Sequence, residues 1–293
     1  MYGREEVLAA FQKALEVGIN FIDTAEIYGR GKSEELIGEA IKGHRDEVVI
    51  ATKVWPWNLT KGRLMRALDG SARRLGVDII DLYQIHWPNP IQPIRSTMKT
   101  MKNLVQAGKV RCVGVSNFSL GKMEAAQEAL SPVELASNQV RYNLLDRAIE
   151  ADLLPYAQNR NITIIAYSPL AHSLLTGRYT PESRPTSLVQ ASNPRFSSQN
   201  LTRLGNVLQT LSAIADSHHK TLSQVALNWL INKPNVVAIP GAKNPEHVAD
   251  SAGAVNWHLT ESETKQLEAA ASEVGFDRLS GIPNLITAIR YLR

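Results

Sequence analysis

Cysteine is almost missing from this sequence, which has one, Cys112, among 293 residues. A single cysteine excludes an intramolecular disulfide and fits a reducing compartment, so we expect a cytoplasmic protein. Cys112 lies within a predicted strand, where we expect a small buried side chain. The motif HExxH and paired CxxC motifs are missing as well, and we therefore expect no metal site.

Long apolar runs and long charge runs are also missing. No apolar run approaches the roughly 18 residues of a membrane helix. The opening residues MYGREEVLAA contain no apolar signal core, so we expect neither membrane contact nor export. Lys and Arg exceed Asp and Glu by 32 − 28 = +4, and basic residues cluster only in pairs such as Arg73-Arg74. Such a surface offers no stripe for a phosphate backbone, so we expect no nucleic-acid partner.

The rest of the composition is that of a globular protein. Hydrophobic residues make up 44% of the chain and charged residues 20%, which excludes disordered and collagen-like proteins. The length permits one large domain or two ordinary ones, and we predict a single domain over residues 1–293.

Short apolar segments alternate with segments of helical period along the chain. Strands are predicted at residues 20–23, 48–52, 79–85, 110–115, 135–140, 162–167 and 236–240. Helices are predicted at residues 5–17, 34–41, 61–75, 94–107, 119–130, 149–160, 201–217, 222–231, 245–254 and 262–274. At the helix ends we expect Ser33 to be an N-cap and Gly18 to follow the first helix.

The first six predicted strands recur every 25 to 32 residues, each followed by a helix, as in right-handed βαβ units, which predicts a parallel sheet. An open doubly wound sheet and a closed (β/α)8 barrel both satisfy this spacing. Polar residues follow the carboxyl ends of several different strands, and this distribution favours the barrel, since a doubly wound sheet concentrates them at one switch point. We therefore predict an α/β fold, a TIM-type (β/α)8 barrel in which seven strands are readable.

Four polar residues stand close to predicted strand ends, namely Asp23, Tyr28, Lys53 and His86. In a parallel barrel these positions converge on one face. A buried lysine needs an acidic partner, so Lys53 and Asp23 are expected to pair. The lysine is expected to lower the pKa of Tyr28, whose phenol then donates a proton to an oxyanion formed from a carbonyl. His86 would donate a second hydrogen bond to the same oxygen.

The same residues allow a second mechanism. Lys53 could form a Schiff base with a carbonyl substrate, as in an aldolase or lyase, with Asp23 and Tyr28 as proton shuttles.

Around these residues the sequence resembles the aldo-keto reductases, over nearly its whole length. Seven blocks in family order carry the resemblance: GINFIDTAEIYG, VVIATKVW, DLYQIHWP, VGVSNFS, NQVRYNLLDR, AYSPLAHSLLTGRY and AIPGAKNPEHVADSAGAVNW. It implies NADPH-dependent reduction of aldehydes or ketones to alcohols, with Tyr28 as general acid, Lys53 and Asp23 tuning it, and His86 positioning the carbonyl. Family members have an N-terminal hairpin and a first barrel strand, which are not readable here.

The resemblance also implies which residues bind NADPH. Ser116, Asn117 and Gln139 would hold the nicotinamide carboxamide, Tyr167 would stack on the ring, Ser168 and Leu170 would cover the pyrophosphate, and Pro240, Gly241, Lys243, His247 and Ser251 would receive the adenosine end. The last group surrounds a predicted helix N-terminus, which favours an anion such as a 2′-phosphate. NADH is the alternative cofactor, because Gly241, His247 and Ser251 replace the Lys, Arg and Asn of well-known members.

One connection is much longer than the others. Residues 168–200 are rich in Pro, Ser, Gly and Arg, and a loop of this length in a compact domain is usually a lid or a binding loop. We expect residues 177–195 to fold over the phosphates of the cofactor, with one of Arg178, Arg184 and Arg195 binding them.

Three tryptophans, Trp55, Trp57 and Trp87, directly follow two of the strand ends. They predict an aromatic-walled pocket for a small carbonyl substrate with apolar or aromatic groups. We expect a monomer or small homo-oligomer. A non-enzymatic alternative is a protein that binds NADPH as a sensor or auxiliary subunit and has little turnover.

Overall fold

A computed structural model describes residues 3–186, 193–242 and 244–276. The chain divides into two compact units. The first comprises Met1–Arg141, Ala148–Tyr167 and Pro234–Ala252, and the second comprises Tyr142–Arg147, Ser168–Lys233 and Gly253–Arg293. The single domain over 1–293 stays a prediction.

Seven parallel strands form one sheet in the first unit, and neighbours in the sequence are neighbours in the sheet. They are β1 (Phe21–Asp23), β2 (Val49–Val54), β3 (Ile80–Ile85), β4 (Val110–Ser116), β5 (Leu135–Arg141), β6 (Thr163–Tyr167) and β7 (Val236–Ile239). All seven predicted strands are therefore confirmed. Their short apolar sequences fit a sheet that is covered by helices.

The side chains between these strands show that the sheet curves into a barrel. Ala51, Leu82 and Ile165, from β2, β3 and β6, form one buried cluster. Phe21, Ala136 and Ile239, from β1, β5 and β7, pack against the same cluster. Residues from both outermost strands can meet one cluster only if the sheet bends round on itself. The TIM-type α/β prediction is thus confirmed, with seven strands among the described residues.

Seven α-helices accompany the strands in the described part of the first unit. They are α1 (Arg4–Glu16), α2 (Lys32–Ala40), α3 (Lys61–Leu75), α4 (Ile94–Gln106), α5 (Leu120–Leu130), α6 (Leu153–Asn159) and α10 (Pro245–Ala252). Gly18 follows α1 with φ +81°, as predicted for its left-handed position. Ser33 is not the N-cap of α2: Gly31 occupies that position, and the Ser33 hydroxyl instead accepts a hydrogen bond from Thr24 Oγ1 at 2.9 Å.

The described part of the second unit contains four more α-helices, α7 (Ser198–Arg203), α8 (Gly205–His218), α9 (Leu222–Ile231) and α11 (Glu261–Ser272). The helix predicted over 201–217 is divided at Leu204, where α7 ends and α8 begins with Gly205. Helix α8 then buries Val207, Leu211 and Ile214 on one face, the spacing expected of an amphipathic helix.

Cys112 was expected to be buried but is exposed. It lies in the amino-terminal half of β4, beside Arg111, at a cavity of about 310 Å³.

In the part of the chain that the structure describes, no helix has both the length and the apolar character required to cross a membrane.

Candidate active site

The Asp23–Lys53 pair lies at the carboxyl ends of β1 and β2. Parallel register places Asp23 beside Ala51, two residues before Lys53, so both side chains point to the same end of the barrel. Lys53 Nζ lies 2.5 Å from Asp23 Oδ2 and donates a second hydrogen bond to the carbonyl oxygen of Thr24 at 2.8 Å. The lysine side chain has no exposed surface. The predicted pairing is therefore present, and it is a buried ion pair.

Tyr28 and His86 lie against this pair. The Lys53 ammonium is 5.2 Å from the centre of the Tyr28 ring, and the Tyr28 and His86 rings meet edge to face at 5.6 Å. Trp55 also packs against the imidazole, with ring centres 5.8 Å apart and ring planes at 80°. Tyr28 itself is 41% exposed, so its ring borders the open side of the site. The four predicted residues thus form one group.

The electrostatics of Tyr28 differ from the expectation. Partial burial, followed by the negative charge of Asp23, raises the pKa of Tyr28 to about 12. The predicted lowering of this pKa by Lys53 was wrong, because partial burial and Asp23 both disfavour the phenolate. At neutral pH the Tyr28 phenol therefore keeps its proton.

His86 and Lys53 are also shifted by their surroundings. Burial lowers the pKa of His86 to about 4, and the positive charge of Lys53 acts in the same direction. Burial lowers the pKa of Lys53 below its ordinary value, while Asp23 opposes this shift. The imidazole is consequently neutral at pH 7, and its buried Nδ1 has no hydrogen-bond partner among the described residues.

The predicted carboxamide-binding residues join the same network. Tyr167 donates from its hydroxyl to Asn117 Oδ1 at 3.0 Å, and Asn117 Nδ2 donates to Ser116 Oγ at 3.0 Å. Ser116 Oγ donates to the carbonyl oxygen of Gln139 at 2.8 Å, and Gln139 Nε2 donates to Asp23 Oδ1 at 2.7 Å. Hydrogen bonds therefore link the carboxyl ends of β4, β5 and β6 to the buried ion pair.

Sequence reasoning missed Gln84, whose Nε2 donates to Asp23 Oδ1 at 3.3 Å. Side chains alternate between the two faces of a strand, so Gln84 lies on the same face as Leu82 and His86. This alternation in β3 could have identified Gln84 from the sequence. Gly114 makes room for it: a Cβ at this position would lie 2.9 Å from Gln84 Cγ and 2.4 Å from Ser137 Oγ. The space left by glycine at position 114 therefore lets Gln84 occupy its place in the site.

The three predicted tryptophans lie in the loops around this group. Trp55 is partly buried beside His86, whereas Trp57 and Trp87 are 53% and 47% exposed. Glu26 was also missed from the sequence. Its Oε1 accepts a hydrogen bond from the backbone N–H of Trp55 at 2.6 Å. Asn89 Nδ2 donates to the carbonyl oxygen of Pro56 at 2.8 Å and so ties the loops after β2 and β3 together.

The residues predicted for the adenosine end follow β7. Pro240 and Ser251 are half-buried, and Gly241 and His247 are exposed. The expected helix start is present: the Asn244 side chain accepts the backbone N–H of His247 at 2.9 Å, and α10 begins at Pro245. Lys243 lies outside the described residues.

Ser168 and Leu170 belong to the second unit. Ser168 has a positive φ of 52°, and its carbonyl oxygen accepts from Asn143 Nδ2 at 3.0 Å. Leu170 is half-buried. Their predicted role at a pyrophosphate stays a prediction.

The assembled group has a definite chemical capacity. It combines a protonated phenol, a neutral imidazole and a lysine ammonium that is held by a carboxylate. A phenol and an imidazole N–H can both donate hydrogen bonds to an oxygen on which negative charge develops. In contrast, no group of His, Cys, Asp and Glu among the described residues has the arrangement of a metal site.

Comparison with known proteins gives matches to one family. The sequence profile of the Aldo/keto reductase family matches residues 2–272. An oxidoreductase of Mycobacterium tuberculosis is 43% identical over 261 residues, covering 89% of this chain and 80% of its own.

Two solved structures are similar over most of the chain. The thermostable aldo-keto reductase Tm1743, in complex with the inhibitor epalrestat, is 38% identical with a TM-score of 0.78, covering 91% of this chain and 88% of its own. An aldo/keto reductase from Klebsiella pneumoniae, in complex with NADP and acetate, is 35% identical with a TM-score of 0.74. The match covers 91% of this chain and 85% of the Klebsiella chain.

Proposed function

Because the chain belongs to the aldo/keto reductase family, we propose that it reduces the carbonyl group of aldehydes or ketones to an alcohol, with NADPH as the reductant. The observation that supports this most directly is the grouping of Tyr28 and His86 around the buried Lys53–Asp23 pair. It provides two hydrogen-bond donors for one carbonyl oxygen.

Tyr28 is proposed as the proton donor. Its phenol is protonated at neutral pH, since its pKa is about 12, and its ring borders the open side of the site. As the carbonyl oxygen gains negative charge, the phenol O–H gives up its proton to this oxygen. The Lys53 ammonium, 5.2 Å from the ring, then offsets part of the charge on the phenolate.

His86 is proposed to position the carbonyl. Its low pKa of about 4 keeps the imidazole neutral, so it can donate a hydrogen bond without giving up a full proton. The Tyr28 and Trp55 rings both pack against the imidazole at steep angles and so restrict its orientation. This packing fixes the direction of the N–H toward the oxygen that Tyr28 protonates.

The donors and acceptors at the ends of β4 and β5 fit a nicotinamide carboxamide. Gln139 Oε1 has no hydrogen-bond partner among the described residues, and the Ser116 and Asn117 oxygens keep further lone pairs. These acceptors suit the carboxamide NH₂, and the half-buried Tyr167 offers an aromatic ring beside them. When bound, a reduced nicotinamide supplies a hydride to the carbonyl carbon.

NADPH is proposed over NADH. The Klebsiella pneumoniae structure contains NADP, whereas an Escherichia coli relative, 30% identical over 291 residues, is named NADH-specific methylglyoxal reductase. The start of α10 carries the backbone N–H groups that favour an anion, with Gly241, His247 and Ser251 around it. We propose that this end receives the adenosine phosphate, together with Pro240 and Lys243.

The substrate class is proposed from the aromatic residues. Trp57 and Trp87 expose about half of their surface, and Trp55 contacts His86. Exposed indole rings beside the proposed reaction centre favour a carbonyl compound with apolar or aromatic substituents.

The Schiff-base alternative conflicts with the position of Lys53. Its Nζ donates to Asp23 and to the carbonyl oxygen of Thr24, and its side chain has no exposed surface. A nucleophilic lysine must reach a substrate carbon. We therefore assign Lys53 to charge balance.

The test is NADPH consumption with a panel of aldehydes and ketones, repeated with NADH. We expect Tyr28→Phe to lower kcat by about 10²–10⁴-fold, the usual contribution of a general acid. Cofactor affinity should be unchanged, as the ring remains. Tyr156→Phe, which removes a phenol on α6, is the matched control and should keep full activity.

Undiminished turnover of Tyr28→Phe would refute the mechanism. Tight NADPH binding with negligible turnover by the unmodified protein across the whole panel would instead support a sensor or auxiliary role.

A further inference from the structure

A cleft of about 380 Å³ lies beside α3 in the first unit, and arginines dominate its walls. Its polar lining residues are Glu26, Asn58, Arg63, Arg66, Arg73 and Arg74. None of the four proposed catalytic residues lines it. Pockets for small organic ligands begin at about 300 Å³, so the cleft is large enough for more than a few waters.

The arginines come from one face of α3. Arg63 and Arg66 are one turn apart, and Arg73 and Arg74 follow two turns later. Gly70 lies between the two pairs, and the absence of a side chain there leaves the middle of this face open. A Cβ at Gly70 would lie 3.1 Å from Arg74 Nη1.

Three of the four guanidinium charges have no acidic partner in the part of the chain that the structure describes. Arg74 is paired with the buried Glu34 at 2.7 Å. Arg63 and Arg73 donate one hydrogen bond each among these residues, to the backbone carbonyl oxygens of Trp57 and Asp69 at 3.2 Å, which leaves their charges unbalanced. Arg66 makes no hydrogen bond or ion pair there.

Glu26, the acidic residue in the lining of the cleft, does not balance these guanidinium charges. Glu26 Oε1 accepts the backbone N–H of Trp55 at 2.6 Å and Asn58 Nδ2 at 3.0 Å, so this carboxylate is committed to the loop after β2.

We infer that this cleft binds the phosphate monoester of a small metabolite through Arg63, Arg66 and Arg73. Guanidinium groups bind phosphate oxygens in pairs of parallel hydrogen bonds, and three unbalanced cations complement the dianion of a monoester. The volume of the cleft accommodates an organic group in addition to the phosphate. The ligand is distinct from the cofactor and from the carbonyl substrate.

The test is calorimetric titration of the full chain with glycerol 3-phosphate, inorganic phosphate and glycerol. Saturating NADP⁺ is present throughout, so that the probes do not compete at the nucleotide site. We expect glycerol 3-phosphate to bind more tightly than inorganic phosphate, and glycerol not to bind. Equal affinity for glycerol 3-phosphate and inorganic phosphate would overturn the monoester assignment.

Variants locate the binding. Each lost guanidinium contact at a partly exposed site is worth about 1 kcal/mol, so Arg66→Ala should weaken glycerol 3-phosphate binding about fivefold. Arg63→Ala combined with Arg66→Ala should weaken it about 25-fold. Arg95→Ala is the matched control, because it removes one exposed arginine from α4, and it should leave the affinity unchanged.

Wild-type affinity in the double variant, or an equal loss in Arg95→Ala, would overturn the proposal. Circular dichroism of each variant verifies that α3 remains folded. Exposed arginines on a helix surface are replaced by alanine at little cost to stability, so the comparison is expected to be made on folded proteins.

Discussion

At the scale of single residues, burial controls the charges of the proposed site. It keeps Tyr28 protonated with a pKa of about 12 and His86 neutral with a pKa of about 4. Only the Lys53–Asp23 pair is ionised at the centre of the group, at 2.5 Å. The two proposed donors therefore hold their protons over the same wide range of pH.

This predicts the pH dependence of carbonyl reduction. Tyr28 must be protonated to donate, which holds below its pKa, and His86 must be neutral, which holds above its own. We expect kcat/KM for reduction to be level between about pH 5 and about pH 11, provided the protein stays folded. Initial rates across this range measure it. An inflection near pH 6.5 that disappears in His86→Gln would contradict the neutral imidazole.

The buried pair also predicts a stability effect. Asp23→Asn leaves the Lys53 ammonium without its counter-charge in a position with no exposed surface, and breaking a buried pair in this way costs about 3–5 kcal/mol. Urea unfolding should show this loss. Asp69→Asn is the control, since its partner Lys109 is 42% exposed and this pair contributes under about 1 kcal/mol. Similar losses in the two variants would contradict the prediction.

At the scale of elements, close packing of α2 on α3 supports the ends of β1 and β2. Glu34 of α2 is fully buried, pairs with Arg74 of α3, and accepts a hydrogen bond from Thr52 Oγ1 at 2.6 Å. Thr52 directly precedes Lys53 in β2. The helices can approach because Gly38 has no side chain: a Cβ there would lie 2.5 Å from the carbonyl oxygen of Arg74.

Gly38→Ala is therefore expected to destabilise the protein although alanine is the better helix former. The propensity gain is about 1 kcal/mol, whereas a clash with a backbone carbonyl in a packed interface costs about 1–3 kcal/mol. The net cost of about 1 kcal/mol should lower Tm by about 2 °C in a chain of this length. Gly121→Ala in α5, where nothing lies within 4 Å of the new Cβ, should give an unchanged or slightly higher Tm. A higher Tm in both Gly38→Ala and Gly121→Ala would contradict the packing argument.

At the scale of the whole molecule, the long connection over 168–200 is the main excursion from the βα pattern. Its described parts are anchored within the second unit, where Tyr179 packs on Phe196 with ring centres 5.2 Å apart. Arg195 is held by Asp146 at 2.5 Å, and the Arg178 guanidinium lies over the Tyr179 ring. Residues 187–192 lie outside the described residues.

We predict that NADPH slows amide hydrogen exchange in residues 177–195, as expected of a segment that closes over a bound cofactor. Exchange measured with and without NADPH tests this, with α11 as the internal control, where protection should not change. Equal exchange of residues 177–195 in both states would refute the lid.

The strand order and the candidate catalytic residues could be predicted from the sequence alone. Six evenly spaced apolar segments and a seventh after the long connection predict a parallel sheet, and Asp23, Lys53 and His86 had to meet because the carboxyl ends of parallel strands lie on one side. The start of α10 was also readable, because Asn244 and Pro245 act through local backbone geometry.

The features that depend on distant neighbours could be recognised only in the folded protein. The pKa of Tyr28 rises because of partial burial and the charge of Asp23, and neither the burial nor the distance can be read from the sequence. Gln84 joins the site because Gly114, on another strand, leaves space for it. Local pattern fixes where a side chain points, but its charge state and its partners depend on segments that are far away in the chain.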